Sequence, residues 1–378
     1  MRLLVTGGGT GGHIYPAIAI AQRVREKVPQ CEVLFAGTPE GMERELAARA
    51  GLPFAAVPAR GVVGKSPVDQ LRGAAAAAAG LAAAWRLVRR FRPDVAVGTG
   101  GYASGPVMAA AAALRRPTLV HEQNVFPGVT NRLLSRVVTC VAIPHREAAR
   151  HFPRGARLWL TGNPVRPEVL RADRAAARRR LGLRPDEKLL LIVMGSRGSA
   201  TVNRVVAEAL PALLEDPRLF VFWVTGAAHH EAARRMADSR MPAEIQGKLR
   251  IEAYVHDLPD VMAASDLVLA RASAITLAEI AALGRPAILV PSPYVAQRHQ
   301  DHNARPFARE GAALVVAEAQ LDGAGLAARA LELLRDGPRL EAMAAAARRL
   351  ARPEALETLA DGVVALAHGR LPDGLHHT

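Results

Sequence analysis

The residues able to do chemistry in this chain gather around two glycine-rich turns. In the first, Leu3-Leu4-Val5-Thr6 runs into Gly7-Gly8-Gly9-Thr10-Gly11-Gly12-His13, with Pro16 close behind. Backbone amides with no side chains in the way can approach an anion or a sugar, and the helix N-terminus that follows favours negative charge. His13 falls where the loop becomes the helix. A histidine there either keeps a structural hydrogen bond or acts as a general base, since imidazole titrates near neutral pH; the glycines around it favour the base. Gly7, Gly9 and Gly12 also fit G-x-G-x-x-G. A dinucleotide site, however, wants an acid at the end of the second strand, and that segment ends Phe35-Ala36-Gly37-Thr38, so the match is weak.

The second turn is Gly195-Ser196-Arg197-Gly198-Ser199, which follows the apolar run 189–194 and suits a phosphate held by backbone amides and a Ser hydroxyl. Further on, Arg271-Ala272-Ser273-Ala274-Ile275-Thr276-Leu277-Ala278-Glu279 opens another helix. Glu279 can accept both hydroxyls of a ribose, or simply compensate a helix N-terminus for under about 1 kcal/mol. Gln297, Arg298, His299, Gln300, Asp301, His302 and Asn303 form a polar run that reads either as surface loop or as amides addressing sugar hydroxyls. No two aspartates stand two residues apart, so no D-x-D pair exists to chelate a metal on a nucleotide diphosphate. A diphosphate here must be neutralised by amides and Arg.

Positioning these turns requires alternating strands and helices, and short apolar runs do alternate with longer amphipathic or Ala-rich segments. Strands are predicted at 3–6, 32–36, 54–57, 94–98, 118–121 and 137–142, then at 189–194, 219–224, 249–252, 267–270, 287–290 and 313–316. Helices are predicted at 14–27, 39–49, 71–90 and 106–114, and throughout the chain beyond Leu321. Turn residues cluster at Gly162-Asn163-Pro164-Val165-Arg166-Pro167. The expected fold class is α/β, two Rossmann-like doubly wound domains facing across a cleft. The expected extents are 1–163, 164–340, and a C-terminal helical segment 341–378 packing back on the first domain.

Composition narrows the classes. The chain has 378 residues, 50% of them hydrophobic, and a formal charge of +14. That is ample for two cores and argues against disorder. Cys31 and Cys140 are the two cysteines, too few for a disulfide framework or zinc cluster, and a reducing cytosol is expected. The N-terminus meets glycines too early for a signal peptide. Eleven arginines between Arg146 and Arg184 face only Glu147, Glu168 and Asp173, and Arg86 to Arg92 adds four more with no acid. Most of the first block is read as solvated helix faces. With 4% aromatics the chain lacks the stacking residues of a nucleic-acid binder, so none is expected as partner.

Taken together, Thr10-Gly11-Gly12-His13 with Pro16, Gly100-Gly101-Tyr102 with Ser104-Gly105-Pro106, His121-Glu122-Gln123-Asn124, Gly162-Asn163-Pro164-Val165-Arg166, Gly195-Ser196-x-Gly198, Arg271-x-Ser273-Ala274, Glu279 and Gln300-x-x-Asn303 resemble one family over essentially the whole chain. It is the UDP-N-acetylglucosamine:N-acetylmuramyl-(pentapeptide) pyrophosphoryl-undecaprenol N-acetylglucosamine transferase family, the MurG family of peptidoglycan synthesis. The resemblance implies an inverting, metal-independent B-type (GT-B) glycosyltransferase without cofactor, peripheral on the cytoplasmic face of the membrane. Its implied substrates are UDP-N-acetylglucosamine and a muramyl pentapeptide on undecaprenyl diphosphate.

The resemblance also implies roles. His13 would remove the proton from the muramyl 4-hydroxyl. Thr10, Gly11, Gly12 and Asn124 would lie near the donor, Arg166 and Ser196 would hold its diphosphate, and the Val255 backbone would read uracil. Ala274, Ile275, Thr276, Leu277, Ala278 and Glu279 would wrap diphosphate and ribose, and Gln300 would read the sugar hydroxyls. Gly100, Gly101 and Tyr102 would meet the acceptor. Leu81, Trp85, Leu87, Val88 and Phe91 alternate with Arg86, Arg89, Arg90 and Arg92, and would form an apolar stripe with a basic rim on an anionic membrane surface, unless that Ala-rich helix is simply core-packed. Arg197 stands where the family's turn carries Gln, and His299 where some members carry a second Gln. The competing expectations are a UDP-N-acetylglucosamine 2-epimerase, which shares architecture and donor, and a non-enzymatic basic scaffold on membranes.

Overall fold

In the computed structural model, residues 1–59, 67–195, 198–241 and 247–377 are described, with 67–77 and 377 by backbone alone. The chain divides into two compact units, Met1–Pro164 with Pro353–Thr378, and Val165–Arg352.

Unit 1 begins with β1 (Arg2–Thr6), α1 (Gly11–Lys27), β2 (Glu32–Gly37), α2 (Glu43–Arg49), β3 (Phe54–Ala56) and α3 (Pro67–Phe91). It continues through β4 (Val95–Gly98), α4 (Ser104–Ala113), β5 (Thr118–His121), α5 (Val129–Leu134), β6 (Cys140–Ile143) and β7 (Arg157–Leu160). Unit 2 contains α6 (Pro167–Arg171), α7 (Arg174–Arg180), β8 (Lys188–Val193), α8 (Ala200–Leu214), β9 (Leu219–Val224), α9 (His230–Asp238), β10 (Leu249–Glu252) and α10 (Leu258–Ala264). After these come β11 (Leu267–Ala270), α11 (Ala274–Ala282), β12 (Ala287–Leu289), α12 (His299–Arg309), β13 (Ala313–Val315), α13 (Gly323–Arg335) and α14 (Gly337–Leu350). The chain then returns to unit 1 with α15 (Ala355–Ala367) and β14 (Leu375–His377).

Strands such as Leu3-Leu4-Val5 and Leu189-Leu190-Leu191-Ile192 are apolar on both faces and fully buried, as parallel strands covered by helices on both sides must be. Among the described residues the sheet of unit 1 runs β14-β7-β6-β5-β4-β1-β2-β3, and that of unit 2 runs β10-β9-β8-β11-β12-β13. Every pairing is parallel except β14 on β7. In each sheet the strand order reverses once, between β1 and β4 in unit 1 and between β8 and β11 in unit 2. Beyond the carboxyl ends of the strands at such a reversal, a crevice opens for ligands. Both glycine turns of the sequence follow a strand at a reversal, β1 and β8.

The structure corrects several expectations. The segment 341–378 does not pack as one piece: Leu340, Met343, Ala346 and Ala347 of α14 bury into the cores of unit 2, and the change of unit comes at Arg352/Pro353. Only α15 and β14 belong to unit 1, where Leu359, Ala360, Val363 and Leu366 join the α1 core and Gly362 lets the Trp159 indole lie against the helix. The expected strand 137–142 starts at Cys140, and β7 and β14 were not expected. Most arginines of the 146–184 block are exposed, as expected; the exceptions are Arg174 and Arg178, which clamp Asp266 at 2.8 and 3.1 Å, Arg174 also donating to the Ser265 carbonyl. Cys31 and Cys140 are free and buried, and burial pushes the Cys140 thiol up to about 12, which removes it from nucleophilic chemistry.

Candidate active site

At the reversal in unit 1 two turns meet backbone to backbone. Gly8 N–H donates to the Gly100 carbonyl at 3.2 Å, and Thr99 N–H donates to the Thr6 carbonyl at 2.9 Å. Gly101 has a φ of 79°, and a Cβ there would overlap the Gly8 carbonyl. Gly100 has a φ of 104°, and a Cβ there would come within 3.0 Å of His13 Nδ1. Both glycines are therefore required by geometry before any ligand is considered. The Tyr102 ring lies over Gly9 and is 40% exposed.

Helix α1 starts earlier than expected, so Gly11, Gly12 and His13 all lie in its first turn. Thr10 is the N-cap, in extended conformation, and its side chain makes no capping bond. First-turn amides without a cap are the groups that receive anions. The His13 carbonyl is tied down by Thr99 Oγ1 at 2.6 Å.

His13 is oriented through its ring. Gln123 Nε2 donates to the Thr99 carbonyl at 2.8 Å and the His121 carbonyl at 3.0 Å, which fixes the amide's orientation. Its oxygen therefore faces His13 Nδ1 at 2.8 Å and can only accept, so Nδ1 carries a proton and the neutral tautomer this contact selects is the one with its lone pair on Nε2. Behind Gln123, His121 Nδ1 lies 3.0 Å from the same amide nitrogen, and His121 Nε2 donates to the Gly162 carbonyl at 3.2 Å. His121 is fully buried; burial lowers its pKa to about 4, against the opposing effect of its hydrogen bond to the Gly162 carbonyl. It stays neutral and brings no competing charge to His13. This is the arrangement a general base needs.

Two buried carboxylates support these turns; Glu43 is not signalled by the sequence, and Glu122 stands in the quoted run 121–124 without a role. Glu43 accepts from Gly9 N–H at 3.0 Å and from Thr38 Oγ1 at 3.3 Å, holding the glycine turn from beneath. Side chains at Gly8 or Gly41 would overlap it. The glycines nearest to it, Gly8, Gly37 and Gly41, are scattered in sequence, so only the fold shows that they make room for one carboxylate. Glu122 organises the next loop: Oε1 accepts from Asn124 N–H at 2.8 Å and Nδ2 at 3.1 Å, while Oε2 accepts from Gly128 N–H at 3.0 Å and Asn131 Nδ2 at 2.8 Å. Asn124 is thus positioned by Glu122.

In unit 2 the carboxyl edge carries the other half of the expected residues. Gly195 and Gly198 have φ of 80° and 69°, and a Cβ at Gly198 would overlap the Thr225 carbonyl. Ser196 and Arg197 lie outside the described residues. Ser199 caps α8 and accepts from Arg271 Nη2 at 2.8 Å, while Arg271 also pairs with Glu318, so Arg271 is buttressing. Arg166 Nε donates to Glu279 Oε1 at 2.7 Å. Burial opposes the Arg166 charge, but the Glu279 carboxylate overcomes it and raises the guanidinium above its ordinary value. Glu279 is buried, whereas the Arg166 side chain is 47% exposed and keeps its outer nitrogens accessible. Tyr254 lies close enough to act on the Arg166 charge, and Val255 packs half-buried against the core beneath.

The run 274–279 divides. Leu277 turns into the core and its N–H bonds to the Ser273 carbonyl, so its side chain lines no ligand site. Contact from Ile275 and Thr276 would come through first-turn amides, and Ser273 Oγ is bonded to Thr276 Oγ1 at 2.8 Å rather than capping. Gln300 is buried and its Oε1 accepts from Ser292 N–H at 2.9 Å, leaving the NH2 group as the donor for a ligand. Ahead of it, Gln297 and Arg298 both adopt left-handed backbone, at φ 54° and 49°, a costly conformation of the kind that gathers at ligand sites. His299 Nδ1 faces the Ala296 carbonyl at 3.0 Å.

Residues 3–143 match the glycosyltransferase family 28 N-terminal domain and residues 189–359 the glycosyltransferase family 28 C-terminal domain. A UDP-N-acetylglucosamine–N-acetylmuramyl-(pentapeptide) pyrophosphoryl-undecaprenol N-acetylglucosamine transferase of Moorella thermoacetica is 46% identical over 360 residues, covering 95% of this chain and 97% of that one. The chain is a member of the MurG family within glycosyltransferase family 28. The crystal structure of Acinetobacter baumannii MurG superposes with a TM-score of 0.78 at 28% identity, over 96% of this chain and 99% of that one. A UDP-GlcNAc 2-epimerase from Neisseria meningitidis bound to UDP-GlcNAc shares the fold, with a TM-score of 0.64 at 12% identity over 96% and 100% of the two chains. The MurG-family assignment and the two parallel-sheet, Rossmann-like units of GT-B type agree.

The buried His121 makes the stability of unit 1 depend on pH. Folded His121 takes its proton near pH 4, and the unfolded chain near 6.5. Between those values the unfolded state holds the extra proton, so the stabilisation is complete above pH 6.5 and lost as pH falls through 4. Urea unfolding of wild type should lose up to about 3 kcal/mol more than His121→Gln across this window. Parallel curves would contradict the neutral, buried assignment.

Proposed function

We propose that this hexosyltransferase moves N-acetylglucosamine from UDP-N-acetylglucosamine to the 4-hydroxyl of N-acetylmuramyl pentapeptide on undecaprenyl diphosphate, with inversion and without metal. The observation that carries the reading is the His13–Gln123 pair, an imidazole whose Nδ1–H is held by the Gln123 amide oxygen so that Nε2 is left to face a substrate, in a chain matched along its length by transferases of that name. Nε2 would take the proton of the attacking hydroxyl as the new bond forms at the anomeric carbon and the bond to UDP breaks. The resulting imidazolium would strengthen its Nδ1–H bond to the Gln123 carbonyl. In unit 1 the turns at Thr10–Gly12 and Gly100–Tyr102 and the loop at Asn124 would receive sugar and acceptor. In unit 2 Arg166, the turn containing Ser196, and the first turn of α11 would take up the diphosphate charge that grows on departure, a preorganised electrostatic contribution. Glu279 would hold the ribose through Oε2, the Val255 backbone the uracil, and Gln300 the sugar hydroxyls through its NH2.

A peripheral seat on the cytoplasmic face of an anionic membrane fits the surface of unit 1. Leu81 and Trp85 on α3 are 44% and 37% exposed, with Arg86, Arg89 and Arg90 exposed around them. Val88, on the same helix, is buried and takes no part in the stripe. Val129 and Leu133 on α5 are exposed beside Arg132 and Arg136. No helix among the described residues is long and apolar enough to cross a membrane.

Purified protein incubated with labelled UDP-N-acetylglucosamine and the lipid-linked acceptor in EDTA should transfer label to lipid, and His13→Ala should cut turnover by about 10²-fold or more. Epimerised nucleotide sugar with no lipid product would favour the epimerase reading, and a few-fold loss in His13→Ala would remove the base. Replacing Trp85, Arg89 and Arg90 together should reduce sedimentation with anionic liposomes; undiminished sedimentation would remove α3 from the membrane surface.

A further inference from the structure

Four non-glycine residues among those described have left-handed backbone: Arg92, Arg115, Gln297 and Arg298. Arg92 and Arg115 follow the last turns of α3 and α4, where one left-handed residue is the ordinary way for a helix to stop. Gln297 and Arg298 stand instead before a helix, in succession, where an extended Ser, Thr, Asp or Asn would ordinarily cap α12. Arg298 gives α12 no side-chain cap. Neither starting nor stopping a helix accounts for this pair, and such backbone persists only where its surroundings hold it.

What holds it is a fork. Arg298 Nη2 donates to Asp301 Oδ1 at 2.9 Å and Nε to Oδ2 at 3.2 Å, two parallel bonds from guanidinium to carboxylate. The Arg298 side chain is 69% exposed, so the pair adds little to stability, and its consequence is geometric. The turn it closes begins at Ser292, between Pro291 and Pro293, whose rings restrict the backbone there. It ends at Gln300, whose buried Oε1 accepts from the Ser292 N–H at 2.9 Å. Between them Arg298 N–H donates to the Val295 carbonyl at 3.1 Å. The prolines fix the start of this loop and the fork fixes its end, and the direction of the Gln300 NH2 group depends on both.

We propose that Asp301 is a positioning residue for donor recognition: by holding Arg298 it keeps the 297–298 backbone left-handed and Gln300 aimed at the donor sugar. The inference rests on the reading in which Gln300 takes the sugar hydroxyls. Without the carboxylate, 297–298 relaxes towards ordinary backbone and the start of α12 turns, carrying Gln300 with it.

Donor KM and kcat are measured for transfer to the lipid-linked acceptor in wild type, Gln300→Ala, Asp301→Ala, Asp301→Ala/Arg298→Gly and Asp301→Ala/Arg298→Ala. Asp301→Ala should raise the KM for UDP-N-acetylglucosamine about three- to fivefold, the reach of an exposed ion pair, and leave kcat within about twofold. Glycine takes left-handed backbone without the steric cost, so the glycine double variant should return KM to within about twofold of wild type while the alanine double variant stays raised. A pair that only stabilises α12 would lower Tm in Asp301→Ala and leave its donor KM unchanged. A charge that touches the donor itself would leave both double variants equally impaired, and either result overturns the proposal. A wild-type KM in Gln300→Ala removes the sugar-reading role and the positioning with it. A raised KM in Gln300→Ala beside a wild-type KM in Asp301→Ala overturns the positioning alone.

Discussion

Gln123 can accept a hydrogen bond from His13 only because its own amide nitrogen is already committed to the carbonyls of Thr99 and His121. Much of unit 1 serves that commitment. Thr99 stands at the carboxyl end of β4 and His121 at that of β5, and the parallel register of the two strands brings their carbonyls to one side chain. The glycines at 100 and 101 let the β4 turn close over the β1 turn, and Thr99 Oγ1 fixes the His13 backbone. Burial keeps His121 neutral, so the network ends in a hydrogen-bond acceptor for Gln123 rather than in a positive charge. A side chain of the wrong polarity at 123 would leave the ring nitrogens of His13 without a preferred tautomer.

Unit 2 solves a different problem with the same topology. A buried carboxylate at Glu279 is costly unless paired, and Arg166, at the mouth of α6, supplies the pair while keeping half of its own side chain in solvent. One carboxylate oxygen and the outer guanidinium nitrogens stay available. The left-handed pair Gln297–Arg298 delivers Gln300 to the sheet edge with its oxygen occupied and its NH2 group free to donate. Unit 1 orients a proton acceptor, and unit 2 presents donors and charge.

Much of this was legible in the sequence because parallel strands and glycine turns are local signals. The apolar runs at 3–6 and 189–194 located β1 and β8, and His13 stood out by following six residues of which five are glycine. The residues that act on His13 were quoted, as His121 and Gln123, without a role, since which amide atom faces which ring depends on two strands far apart in sequence. Glu43 was invisible for the same reason. Charge was legible as a total and only partly as a pattern: most arginines of the 146–184 block are solvated, but Arg174 and Arg178 bind Asp266, an acid far along the chain that the local sequence does not show. The end of the chain misled because α14 and α15 have similar Ala-rich composition, and only the core each one joins distinguishes them.

The central claim is that Gln123 holds the His13 ring by Nδ1–H, so that Nε2 is the nitrogen that accepts the substrate proton. The most direct measurement is the pH dependence of kcat/KM for Gln123→Glu against wild type. A carboxylate beside Nδ1 stabilises the imidazolium, so the acid limb of the profile must move to higher pH while the variant remains active. An acid limb that stays where it is in wild type would show that His13 does not titrate through this contact, and would contradict the account.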